Sequence, residues 1–323
     1  MTLVERFTQI YNLLPNSLSL GIMWGAMALG VFITYKILEI ADLTVEGTFA
    51  MGGCITAQMI SKNINPIFAI LVSMVGGLIA GAITGVLHTK FKIPAILSGI
   101  LTMLALYSVN FKIMDGSSNI RMSDLGTRKV DTILDHIGRL VGLDKITQKS
   151  YIELIFGVLI IAIIIGALYW FFGTELGSAL RATGNNEHMV RALGVSTDTM
   201  KIIGLALSNG IVALAGSMVA QAQRFGDVGM GMGTIVTGLA AIVIGEVIFG
   251  KNTPFLWRLA TVIIGSTIFQ IVRSAVLAFD MNPDDLQLLT SVIVAIALFM
   301  PVGREQIKKQ INNHKNKKLH EGV

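Results

Sequence analysis

Nine apolar runs, separated by polar stretches, limit what this chain can fold into. They lie at about 18–36, 45–61, 66–88, 94–111, 152–172, 200–222, 234–250, 255–277 and 287–302. A helix rises about 1.5 Å per residue, so about 17–25 apolar residues cross the roughly 30 Å of hydrocarbon in a bilayer. Backbone N–H and C=O groups find no water at that depth, and a helix satisfies its own. The expected fold class is therefore all-α, a polytopic helical membrane protein of about nine spans. Composition agrees: charged residues are 14% and hydrophobic ones 53%, where a soluble domain carries about a quarter charged.

The domain reading is simple. A polar N-terminal segment, 1–16, has no signal-peptide cleavage pattern after it. A membrane domain follows at 17–303, with a polar loop at 112–150 and another at 173–200, and a basic tail occupies 304–323. The net charge of +5 is concentrated in that tail, at Arg304, Lys308, Lys309, Lys315, Lys317 and Lys318. Placed directly after a span, this cluster reads as a cytoplasmic anchor beside anionic lipid and not as a nucleic-acid surface. Cys54 is the only cysteine, so no internal disulfide and no Cys-rich metal site are expected. No cofactor and no catalytic residues are expected either. The five histidines never form a His-Glu-x-x-His pair, which argues against an intramembrane enzyme.

With the tail inside and nine spans, Lys36, Lys90, Lys92, Arg181, Arg191, Lys201, Lys251 and Arg258 fall on the cytoplasmic side. The 112–150 loop then lies outside and the 173–200 loop inside. A faint inverted internal repeat accompanies this topology. Asp42 to Gly47 opens one apolar run and Asn65-Pro66 precedes the next; Asp227 to Gly233 and Asn252-Thr-Pro254 repeat that order later. Inverted repeats are common in transporters, where the solute path lies between the halves.

The 173–200 loop predicts a short helix over about 186–193. Asn185 is a natural N-cap, Glu187 suits the first turn and Gly194 a C-terminal stop, with Gly184 setting the unit apart on the other side. Met189, Val190 and Leu193 give it an apolar edge beside Arg191. Such a helix either docks on a partner or lies on lipid. A second feature is Asp42 to Gly53, where Thr44, Glu46 and Thr48 interleave with Gly47, Gly52 and Gly53, predicting a loosened, broken span. Glu46 then faces a solute path or holds a structural hydrogen-bond network. Gln58, Asn110 and Gln221 are further polar residues in spans, read as path lining or as bonds between helices. Glu246 is expected to pair with Lys251 or Arg258, and Arg273 to snorkel at the end of its span. Gly77, Gly81 and Gly85 share one face, for close approach of a neighbouring helix.

The segment Leu180-Arg-Ala-Thr-Gly-Asn-Asn-Glu-His-Met-Val-Arg-Ala-Leu-Gly-Val195 resembles the coupling loop of ABC importer permeases of the branched-chain amino acid and simple-sugar type. It departs from that family's pattern at Met189-Val190-Arg191, where Ala-Ala-Arg is usual. Ala206 to Gly216 is similar to the family's next span. Asp42-Leu-Thr-Val-Glu-Gly-Thr-Phe49 and Gly99 to Asn110 look like a narrower branch that carries amino acids, aromatic ones included. The resemblance covers about 17–303. It implies an ABC ATPase contacting Arg181, Gly184, Asn185, Glu187, Met189, Arg191, Leu193 and Gly194. It also implies an extracytoplasmic substrate-binding lipoprotein, a second permease copy or a homologue of it, with a homodimer favoured, and residence in the plasma membrane. The translocation path would include Glu46, Thr48, Gln58, Asn110 and Gln221. The chain has no phosphate-binding Gly-x-x-x-x-Gly-Lys-[Ser/Thr] loop of its own. An ion-gradient-driven transporter stays open as the alternative, as do a nucleoside or a simple sugar as solute.

Overall fold

A computed structural model describes residues 3–122, 132–135, 146–250 and 253–277, with isolated positions between 288 and 299. Its long elements are α1 (Leu3–Phe32), α2 (Thr44–Ser61), α3 (Pro66–Thr89), α4 (Ala95–Ile113) and α5 (Ile146–Gly173), followed by the short α6 (Glu175–Asn185) and α7 (Glu187–Ala192), then α8 (Thr197–Gln223), α9 (Thr234–Phe249) and α10 (Phe255–Leu277). Two three-residue strands, β1 (Asn119–Arg121) and β2 (Phe225–Asp227), pair antiparallel with Ile120 opposite Gly226.

Eight of the nine expected runs coincide with helices. Among the described residues, six helices are long and apolar enough to cross a membrane: Leu13–Ile37, which adds a π turn to the end of α1, and those of α3, α4, α5, α8 and α10. α9, at 16 residues, is shorter. α2 spends its length on threonines, glycines and Gln58 but buries fourteen of its 18 residues. The ninth run, 287–302, and the basic tail fall largely outside the described residues. Helix begins at Leu3, so 3–16 is continuous with the first long helix.

α2, α8 and the part of α1 from Leu13 onward form the centre, with most of those residues buried, whereas α3, α4 and α5 turn large apolar side chains outward. Those outward faces (Ile67, Leu71, Val75 and Ile79 on α3, for example) suit lipid. The inward face of α3 carries the small residues. A Cβ added at Gly77 would lie 2.3 Å from the Asn209 carbonyl oxygen, and one at Gly81 2.3 Å from that of Leu205. The glycine stripe read in the sequence thus seats α3 against α8. At Gly52 of α2 an added Cβ would lie 1.9 Å from the Ala213 carbonyl oxygen. The expected break in this span is absent: α2 is continuous from Thr44, and its glycines serve close packing where looseness was predicted.

The two halves are interlocked. α8 packs against α2 and α3, while α1 packs against α9 and α10, and α1 and α8 touch each other. The pattern is unchanged when α1 is exchanged with α8, α2 with α9, and α3 with α10. Val294 of the ninth run packs on Ala240 of α9 and Phe269 of α10, as α4 packs on α2.

Candidate coupling surface and polar core

The end of the molecule that carries α6 and α7 is fastened at several points. Thr174 caps α6 by accepting from Gly177 N, and Asn186 caps α7 by accepting from Met189 N at 3.1 Å. The N-cap is therefore Asn186; Asn185, expected in that role, is the last residue of α6, a helix the sequence reading did not foresee. Gly194 closes α7 with φ +84, the left-handed conformation that glycine adopts without strain. Gly184 lies inside α6, where an added Cβ would sit 1.8 Å from the Ile37 carbonyl oxygen. It is a contact between α6 and the end of α1, and not a free spacer. Arg181 donates to the Phe172 carbonyl oxygen at 2.8 Å and lies over the Phe255 ring.

α7 itself is held by charge. Glu187 accepts from Lys201 Nζ at 2.7 Å and from Arg191 at 2.9 Å, and the Thr197 hydroxyl donates to it at 3.1 Å. Arg191 also donates to the Thr197 hydroxyl at 2.8 Å. The hydrogen bond from Lys201, joined by its charge, Thr197 and Arg191, holds the Glu187 carboxyl below the usual range against the opposing effect of burial. Arg191 thus fastens α7 to the start of α8. Of the apolar edge, Val190 is buried, but Met189 is 49% and Leu193 74% exposed. These two side chains project from a braced frame.

The polar path candidates do not converge on one channel within the chain. Thr48 is fully buried and donates to Asn209 Oδ1 at 2.8 Å. Asn209 Nδ2 donates to Asp42 Oδ2 at 2.6 Å, and Asp42 Oδ1 accepts from Thr44 N at 2.9 Å. The Thr44, Thr84 and Thr102 hydroxyls continue the chain at 2.8 and 2.9 Å. One buried network thus ties the α1–α2 connection to α2, α3, α4 and α8. Gln58 donates to Asp115, which also takes Lys62 Nζ at 3.0 Å. Asn110 donates to the Gly47 carbonyl oxygen at 3.2 Å, and Gln221 accepts from Ile133 N at 3.1 Å. Each is a bond between elements.

Glu46 has a different task. The backbone after β2 follows α2 downward: a Cβ at Gly226 would meet Ala57, and one at Gly231 would lie 1.8 Å from the Glu46 carbonyl oxygen, about three helical turns lower. α9 starts only there, which is why it is short. The Glu46 carboxylate accepts from Gly233 N at 3.0 Å, at the start of α9. A carboxylate at that place satisfies orphan N–H groups and suits the positive end of the helix dipole.

With this geometry in place, the comparisons with known proteins decide the class. The family described as the branched-chain amino acid transport system permease component matches residues 13–302. The chain belongs to this permease family. The permease is 37% identical over 306 residues, 95% of each chain, to a tyrosine transport system permease protein of Clostridioides difficile (strain R20291). It is 25% identical over 302 residues to the ribose import permease protein RbsC of Escherichia coli (strain K12), covering 93% of this chain and 88% of the other. A solved structure described as an inward-facing conformation of a putative metal-chelate type ABC transporter is similar at TM-score 0.49 and 15% identity. That similarity spans 90% of this chain and 85% of that one and carries no argument.

One further expectation about the permease changes. Glu246 pairs with Lys36 at 2.9 Å, joining the ends of α1 and α9, while Arg258 lies over the Phe32 ring. Lys251 lies outside the described residues. Asp42 and Asn209, which anchor the permease's buried network, were passed over as sites; the available signal was an amide in the middle of an apolar run, the same signal that singled out Asn110.

Proposed function

We propose that this permease is the membrane subunit of an ATP-driven importer in the plasma membrane, carrying an amino acid with an aromatic or branched apolar side chain. The match to the permease family over 13–302 carries the class. The tyrosine permease at 37% identity favours an amino acid over a sugar, since the ribose permease is more distant at 25%. An ABC ATPase docks on α7 at the cytoplasmic end, an extracytoplasmic binding lipoprotein docks at the other, and two copies form the path. The ATP hydrolysis belongs to the ATPase chain. The basic tail supports a cytoplasmic C-terminus and, with it, a cytoplasmic 173–200 segment. A transporter driven by an ion gradient would need a free acid in the bilayer, and Glu46 is engaged on α9.

The exposed pair Met189 and Leu193 supports the docking surface. Arg191 is a poor test of it, because Arg191→Glu would unfasten α7 from Glu187 and Thr197. Leu193→Glu is cleaner, since that side chain stands free on the surface. Labelled L-tyrosine uptake in cells with the whole importer, and co-purification of the ATPase, should both fall about tenfold or more. Normal values for both, with normal permease in the membrane, would remove α7 as the docking element.

A further inference from the structure

Beside the descending 224–233 backbone lies a cleft of about 630 Å³. Trp24 of α1, Phe225, Asp227 and Met230 of the descending segment, Thr237 of α9 and Arg273 of α10 line it. Arg273 is half-buried, and no hydrogen bond or ion pair occupies it among the described residues. An unpaired guanidinium in a membrane domain is costly and faces a cavity or a partner. Asp227 accepts from Gly229 N at 2.7 Å and from Asn119 Nδ2 at 3.2 Å, both neutral donors, so its charge is not balanced. The two opposite charges share the cleft without forming an ion pair. Trp24 is fixed beside them by its contact with the Phe49 ring at 5.0 Å.

A separated cation and anion flanking an apolar wall match a solute of one chemical class. An uncharged sugar could accept hydrogen bonds from Arg273 but would leave it without a countercharge. A zwitterion with a large apolar side chain pairs both charges, and a guanidinium grips a carboxylate through two parallel hydrogen bonds. The volume lies within the range of about 300–1,000 Å³ typical of small-molecule sites. We propose that this cleft is the permease's solute-recognition site. Arg273 takes the carboxylate of a zwitterionic amino acid, Asp227 its ammonium group, and Trp24 with Met230 its aromatic or large apolar side chain. The proposal rests on the reading of the chain as an amino-acid importer permease.

The test compares uptake of labelled L-tyrosine with that of labelled tyrosinamide, which keeps the amine and the ring but has no carboxylate. Both are measured in cells carrying the whole importer, with the permease quantified in the membrane. Wild type should prefer tyrosine. Arg273→Gln should lower tyrosine uptake at limiting concentration about tenfold or more and abolish the preference over the amide. Arg273→Lys, which keeps the charge, should restore part of that preference. Should Arg273→Gln fail to reach the membrane, Asp227→Asn decides, by weakening discrimination against N-acetyltyrosine. If wild type imports tyrosine and these variants keep its rate and its discrimination, the cleft is not the recognition site, although the importer reading stands. If wild type imports ribose and no amino acid, both fall.

Discussion

Asn209 shows how much one side chain can hold in this molecule. Its amide accepts from Thr48 and donates to Asp42 and to the Leu205 carbonyl oxygen, and all of these groups are buried. Asn209→Leu would take the donor from Asp42 Oδ2, at a cost of about 1–3 kcal/mol, while the Thr48 hydroxyl keeps the Thr44 and Val45 carbonyl oxygens. We expect a clear drop in the thermal midpoint in lipid nanodiscs and a smaller one for Thr48→Val, which removes a single donor. Equal midpoints for wild type and Asn209→Leu would mean that the network contributes nothing. Glu187 gives a pH-dependent counterpart. Its carboxyl lies below the ordinary 4.5, chiefly through Lys201. A depressed folded value means that the stabilisation is complete above 4.5 and is lost as pH falls through the folded value. Hydrogen exchange over 187–200, corrected for intrinsic rate, should show protection falling in that acid window, and Lys201→Met should flatten the dependence.

At the scale of elements, the close approaches are made at glycines, and the sequence marks some of them better than others. The four-residue spacing of Gly77, Gly81 and Gly85 was legible as a helix-packing face because periodicity alone puts them together. Gly184 was not legible: flanked by polar residues, it read as a spacer, and only the fold shows the Ile37 carbonyl oxygen against it. The two kinds of glycine should respond differently to one methyl group. Gly184→Ala forces α6 away from α1 and should lower the folded yield and thermal midpoint measurably. Gly173→Ala, with no atom within 4 Å of the new Cβ, should be neutral or slightly stabilising. Matching midpoints for the two variants would show that the α1–α6 contact bears no strain. The same contrast explains α2, whose glycines suggested a break when seen without their neighbours: Leu106 against Gly47, the Ala213 carbonyl oxygen of α8 against Gly52 and Met230 against Gly53.

For the whole molecule, orientation is the property on which the coupling reading depends. Ser117 is exposed beyond α4, near the β1–β2 pair, and His188 is exposed on α7 at the other end. In a background where buried Cys54 is replaced by alanine, Ser117→Cys should react with a membrane-impermeant maleimide in intact cells and His188→Cys should not. The reverse pattern would turn the protein over and place α7 on the side away from any ATPase. Interlocking bears on stability too. Because α8 is seated among α2 and α3, and α1 among α9 and α10, neither half presents a complete core alone.

The sequence by itself determined that this chain is a helical membrane protein, where eight of its apolar runs form helices, and that a short capped helix sits in the 173–200 segment. These follow from run length, periodicity and capping chemistry, which are local and need no knowledge of neighbours. Its family likeness was legible in the same segment. The tertiary structure alone decided what the polar residues do. Glu46 caps α9, Glu246 binds Lys36, and Asp42 meets Asn209 across 167 positions of chain. A polar residue in an apolar run announces that it needs a partner, because leaving it unpaired is costly. Which partner it finds is set by helix crossings that the spacing of residues along one helix does not encode.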